Sequence, residues 1–266
     1  MSQRSLLITA AFSSLACAAL GCNRPSAAPP APASAPAAPA PTEPEPAVAV
    51  ITAGSSLVEA VAMRPFHARY SRTGYQGAAS KDLGPGEFIL KERGGQLDVT
   101  ISMTANGDAV RDHVVIDRRT LAPATRTFRM GDRDVALTYR GAKVEQVISR
   151  GEERDAITVD FAAAGFEANV LELVLAALPL RAGYRARIAW ANLPARDQMW
   201  AELDVPRTEQ LEAAGRTWTT WVCDVRNDDG SRKTYWIAKD PPYKIKMETR
   251  PAGAPSYWDW QLTSVE

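Results

Sequence analysis

The chain has 266 residues with 31 basic and 31 acidic side chains, so its formal charge balances at zero. No basic excess offsets a phosphate backbone, and nucleic acid is excluded as an expected partner. Of three cysteines, Cys17 and Cys22 fall near the start, which leaves Cys223 alone in the remainder and excludes an intramolecular disulfide there.

Met1 to Gln3 and Arg4 place one positive charge ahead of an uncharged stretch, Ser5 to Gly21, that carries Leu6, Leu7, Ile8, Phe12, Leu15 and Leu20. This is the charged start and short apolar core of a secretory signal. The run is diluted by Thr9, Ser13 and Ser14, and a bilayer-spanning helix needs around twenty mostly apolar residues. It ends Ala19-Leu20-Gly21-Cys22, which resembles the lipobox of bacterial lipoproteins, with Ala19 where Leu is usual. Residues 1–22 are therefore expected to be a signal removed ahead of a lipidated Cys22. Ser14-Leu15-Ala16-Cys17 is a poorer candidate, because cutting there leaves apolar residues on the mature chain. By analogy with other lipoproteins, Asn23 after the cysteine points to the periplasmic side of the outer membrane, with acyl chains as the membrane contact.

Residues 23–54 read as a disordered Ala/Pro-rich tether. Nine prolines lie between Pro25 and Pro46. Such composition cannot pack, and its prolines favour extended, solvated backbone reaching on the order of 70 Å.

Residues 55–266 have the composition of one globular domain. Glu87 to Arg93, Gly94-Gly95 and Gln96 to Met103 form an alternating run, a Gly pair and a second alternating run, the signal of a tight hairpin. The same grammar recurs at Val114–Asp117, Thr125–Arg129, Val135–Tyr139, Val144–Ser149 and Ile157–Phe161. It returns at Thr217–Arg226, Lys233–Lys239 and Tyr243–Thr249. The expected fold class is mainly β, a curved antiparallel meander forming a barrel or half-barrel. Phe166 to Leu178 breaks the alternation, is rich in helix formers and stops at Pro179. Its apolar residues cover most of a helical circumference, which places one apolar helix in or across the hollow.

Leu173 to Leu180 followed by Arg181-Ala182-Gly183-Tyr184 and a strand ending near Trp190, then Gly215 to Val225 and Thr234 to Glu248, resemble the family of exported bacterial proteins called domain of unknown function 3108. The resemblance implies a curved antiparallel sheet with a helix in its hollow, similar to periplasmic lipoprotein carriers and outer-membrane acceptors, which shelter acyl chains there. The family has no established reaction, so no functional residue is carried over.

Catalytic and metal chemistry finds little support. His67 and His113 share no ligand spacing with each other or with Cys223. No Gly-x-Ser-x-Gly elbow is present, and Asn227-Asp228-Asp229-Gly230 has Val225 where a calcium loop needs an oxygen, so it reads as a hairpin turn. Cys223 sits in the apolar run Trp218–Val225 and reads as a buried thiol. All seven tryptophans lie between Trp190 and Trp260, supplying aromatic surface to a core or to an apolar ligand.

The expectation is a non-catalytic outer-membrane-anchored lipoprotein without cofactor or metal, binding an apolar or lipid-like ligand. Val170, Leu171, Val174, Trp190, Trp218 and Trp236 are the candidate lining. The alternative is a structural or interaction protein of the cell envelope, with a filled barrel and a protein partner.

Overall fold

The computed structural model describes residues 48–59, 63–105, 107–192 and 197–266. The expected signal, Cys17, Cys22 and the tether up to residue 47 lie outside the described residues. All described residues belong to one compact unit, Pro46–Glu266.

The chain begins with β1 (Ala49–Ile51), then β2 (Phe66–Gln76), β3 (Ala79–Asp82), β4 (Gly86–Arg93), β5 (Gln96–Ala105), β6 (Asp108–Asp117), β7 (Pro123–Met130), β8 (Arg133–Arg140), β9 (Lys143–Arg150) and β10 (Glu153–Asp160). After β11 (Phe166–Glu167), a 3-10 turn (Ala168–Val170) leads into α1 (Leu171–Ala176). There follow β12 (Tyr184–Asn192), β13 (Asp197–Ala213), β14 (Arg216–Asn227), β15 (Arg232–Ala238), β16 (Lys244–Arg250) and β17 (Ser256–Val265).

Hairpin follows hairpin because turn residues punctuate the alternating runs where the sequence indicates. Gly94 and Gly95 adopt φ of 57° and 82°, the positive values that a two-residue turn between β4 and β5 requires. From β2 the meander proceeds through β4, β5, β6, β7, β8 and β9 to β10, each strand antiparallel to the last, with β3 paired to the far half of β2. The second meander runs from β12 through β13, β14, β15 and β16 to β17, and β17 pairs with β2. The two halves thus join at the middle of one open sheet. Its edges are β10 on one side and β12 on the other, where β1 and β11 pair in parallel with successive stretches of β12.

This order explains the helix. The chain leaves the sheet at edge strand β10 and must reach the opposite edge at β12, so the intervening segment crosses the concave face. The segment is apolar, and Val170, Leu171, Glu172, Leu173, Val174 and Leu175 are all buried. The expected helix over residues 166–178 is shorter in the structure. Phe166 and Glu167 pair as β11, and the helical residues are 168–176, because the edge of β12 offers backbone partners that a helix start would forgo. The same edge revises the domain boundary: Ala49 to Ile51, assigned to the tether by composition, form a strand on Ala186 to Ile188 with Ile51 fully buried.

One contiguous core links both walls and the helix, with Phe66, Tyr70, Phe88, Leu97, Ile116, Leu173, Leu175, Ile188 and Tyr235 among its members. Edge strand β10 carries Glu153, Arg154, Asp155 and Asp160, charges that discourage edge-to-edge pairing. Among the described residues no helix is long and apolar enough to cross a membrane.

Candidate functional site: a filled interior and a charged outer groove

The six residues expected to line a ligand hollow divide into two groups. Val170, Leu171, Val174, Trp190 and Trp218 are buried in the contiguous core. Trp236 is buried but outside it, because Tyr235 and Ile237 take the inward positions of β15 and strand alternation turns Trp236 to the opposite face. There Lys246 Nζ lies 4.5 Å from its ring centroid. The Trp218 indole donates to the Ala213 carbonyl at 3.0 Å.

Two polar clasps fix the crossing segment inside the sheet. In the first, Arg126 on β7 donates Nε and Nη2 to the Asp112 carboxylate on β6 at 2.9 and 2.7 Å, and Nη1 to Glu167 on β11 at 2.8 Å. Tyr139 donates its hydroxyl to Glu167, and the Asn169 amide donates to Asp112. Side-chain exposures of 10% for Arg126, 2% for Asp112 and 0% for Glu167 take this acid pair out of water. Burial raises the Glu167 carboxyl above its ordinary range, and Arg126 offsets only part of that rise. Burial also pushes the Tyr139 hydroxyl up, with the Glu167 charge adding to it.

In the second clasp, Lys244 Nζ sits 2.5 Å from Glu172 Oε1 on α1. The ammonium lies 4.9 Å from the Tyr70 ring, 5.2 Å from Phe88 and 4.9 Å from Trp260. Aromatic faces thus replace part of its lost hydration. Tyr70 donates its hydroxyl to the Lys244 carbonyl at 3.0 Å. Burial holds the Tyr70 and Tyr235 hydroxyls well above the usual phenol range, and the Glu172 carboxylate raises both further.

These groups answer one another. The oxygens of the acid pair are taken by arginine, tyrosine and asparagine, an arrangement that holds the crossing segment against the sheet. The histidines stand apart. His67 faces away from Phe66, Ala68 and Tyr70, 3.6 Å from Glu87, and His113 Nε2 lies 3.5 Å from Asp98. Burial raises the Cys223 thiol far above its ordinary value, so it is held protonated.

Three recesses on the described surface, of about 850, 380 and 320 Å³, are lined by none of the six predicted residues and by no residue of α1. The recess of about 850 Å³ runs across β12 to β16 and is strongly charged. Arg187, Glu202, Arg226, Arg232 and Arg250 form one rung in direct cross-strand register, and Arg185, Asp204, Asp224, Thr234 and Glu248 form the next. Leu203, Val225 and Lys233, which alternate with these rungs, point inward. Burial lowers Lys233 below the usual lysine value.

The clasps and the charged rungs did not emerge from sequence motifs. Their available signal was positional: Asp112 occupies the inward phase of the alternation Val110, Val114, Ile116, and Glu172 interrupts an all-apolar helix.

The family model described as "Protein of unknown function (DUF3108)" matches residues 88–254. Among curated proteins none matches. Among solved structures, the hypothetical lipoprotein YmcC from Escherichia coli (K12) is similar at 8% identity, over 73% of this chain and 86% of that one, with a TM-score of 0.29.

Proposed function

The chain belongs to the DUF3108 family of proteins of unknown function, and from that premise we propose that it is a lipid-anchored, non-catalytic interaction module of the cell envelope. In this reading Cys22 carries the acyl chains at the periplasmic side of the outer membrane, and the Pro-rich tether lets the β domain reach an envelope partner.

The observation that carries the reading is the occupied hollow. Related architectures that shelter an acyl chain need empty apolar volume, whereas here α1 fills the concave face with its side chains buried and is clasped to the sheet through Glu172 and Lys244. This favours the envelope-interaction reading over an apolar ligand in the hollow. Contact is then made by the outer surface.

Three measurements test it. Labelled palmitate is expected to be incorporated into the wild-type protein and lost in Cys22→Ser. Native mass spectrometry of delipidated full chain mixed with envelope lipid extract is expected to show no stoichiometric ligand, while photo-crosslinkers on the outer face yield a discrete envelope product. A retained lipid at one per chain overturns the interaction reading in favour of lipid binding.

A further inference from the structure

We propose that the outer-face groove of β12 to β16 is a binding site for a phosphate-bearing anion, held between the guanidinium groups of Arg226 and Arg232 and flanked by Arg250, with Arg187 farther along the rung beyond Glu202. The inference stands independently of the lipid anchor, since it rests on the groove alone.

Its basis is a run of like charge at one end of the rung, whose one acid, Glu202 on β13, lies on the far side of Arg226 from Arg232. Arg226 on β14 is directly opposite Arg232 on β15, and Arg232 is directly opposite Arg250 on β16. Neighbouring strands lie about 4.8 Å apart, so three cations stand in line with no acid between them. Like charges in direct cross-strand register repel. Among the described residues neither Arg226 nor Arg232 has a hydrogen-bond or ion-pair partner. Arg250 shares Glu248 at 3.2 Å and lies over the Tyr257 ring at 4.1 Å. Arg187 stacks over Trp200 at 4.7 Å. The flanking guanidiniums are therefore positioned, while the central pair is free to turn toward a ligand.

The ligand class follows from geometry. A carboxylate is satisfied by a single guanidinium fork, whereas a phosphate offers three acceptor oxygens and a charge between about one and two, enough to engage two adjacent forks at once. Binding also relieves the repulsion between Arg226 and Arg232. Asp204, Asp224 and Glu248 on the neighbouring rung, and Glu202 at the β13 position of the same rung, repel a displaced anion and so confine it to Arg226, Arg232 and Arg250. The groove, at about 850 Å³, accommodates a phosphate together with the group that bears it.

The same chemistry is offered by a soluble phosphate ester and by a phosphorylated lipid headgroup. The test therefore has two arms, both with the full chain carrying Cys22→Ser so that no acyl group of its own partitions into lipid. In the first, inorganic pyrophosphate is titrated calorimetrically. In the second, the chain is co-sedimented with phosphatidylcholine vesicles with or without phosphatidic acid. Saturable binding in either arm is expected. It should weaken at least about tenfold in the double variant Arg226→Ser, Arg232→Ser, the loss of two charge-assisted contacts. It should persist in Arg133→Ser, Arg150→Ser, which removes equal charge from a different recess. Binding to pyrophosphate alone identifies a soluble ligand, and binding to phosphatidic acid vesicles alone identifies a headgroup. No binding in either arm, or equal weakening by both double variants, overturns the site. Circular dichroism and the melting temperature of the double variant establish that it is folded, since both replaced side chains are exposed.

Discussion

Lys244 and Glu172 meet at 2.5 Å inside the sheet, with side-chain exposures of 5% and 6%, and join the start of β16 to the helix that crosses the hollow. Two charges removed from water are tolerable only together, because each is the other's main compensation. Lys244→Met is therefore expected to destabilise the protein by about 3–5 kcal/mol, leaving the buried Glu172 carboxylate without its ion-pair partner. The double variant Glu172→Leu, Lys244→Met is expected to regain most of that loss, since apolar groups of similar volume suit the surrounding Tyr70, Phe88 and Trp260. Urea unfolding of the three proteins measures both steps. Equal losses in the single and double variants would show that the pair is not the anchor.

The other clasp gives the stability a pH dependence of definite sign. Glu167 holds its proton more tightly in the folded chain than at its ordinary value of 4.5, because burial opposes its charge. Its protonation linkage therefore favours folding most fully below that ordinary value, and this contribution is lost as pH rises through the raised folded value. Asp117 and Glu248, whose values are lowered, act in the opposite sense, so only a difference between variants isolates Glu167. Stability of Glu167→Gln minus that of wild type is expected to increase from pH 4 to pH 7. Denaturant titrations at four pH values would give parallel profiles if the raised value were wrong.

The hairpin order was legible because its signals are local: Gly94-Gly95 needs only its own backbone to turn, and Asn227 to Gly230 likewise. The helix was legible in kind, through residues 171–176 in the apolar run. Its shortening was not, since Phe166 and Glu167 pair with Trp190 and Ala191, more than twenty residues on. Strand β1 was hidden for the same reason. Ala49-Val50-Ile51 follows a Pro-rich segment, and only the free edge of β12 makes it a strand. Trp236 illustrates the limit for sites. Its size marked it as lining, yet which face it occupies depends on the phase set by Tyr235 and Ile237. The arginine rung required the full register of five strands, which no short motif encodes.

Gly165 lies on the crossing segment, where a Cβ would come within 2.9 Å of the Trp190 carbonyl carbon and 3.0 Å of the Ala191 nitrogen. Both are backbone atoms of β12, held in place by pairing with β11 and β13. A flexible side chain would move aside, but this strand cannot do so without losing register. Gly165→Ala is expected to cost about 1–3 kcal/mol, as overpacking does in a filled interior. Thermal melting reads this as a clear drop in the transition midpoint. An unchanged midpoint would mean that the segment does not seat against β12 as closely as described.

Cys223 supplies a count that bears on both the domain and its proposed anchor. Its side chain is fully buried and its thiol is held protonated by burial, so the attacking thiolate is scarce and sealed from reagent. The folded mature protein is expected to be inert to a disulfide reagent such as Ellman's reagent over hours. In guanidinium chloride it should release one equivalent of thiol per chain. The value is one because a lipidated Cys22 has its sulfur in a thioether, while Cys17 leaves with the signal. Two equivalents in the denatured mature protein would keep the burial of Cys223 and refute the anchor, whereas rapid reaction of the native protein would refute the burial.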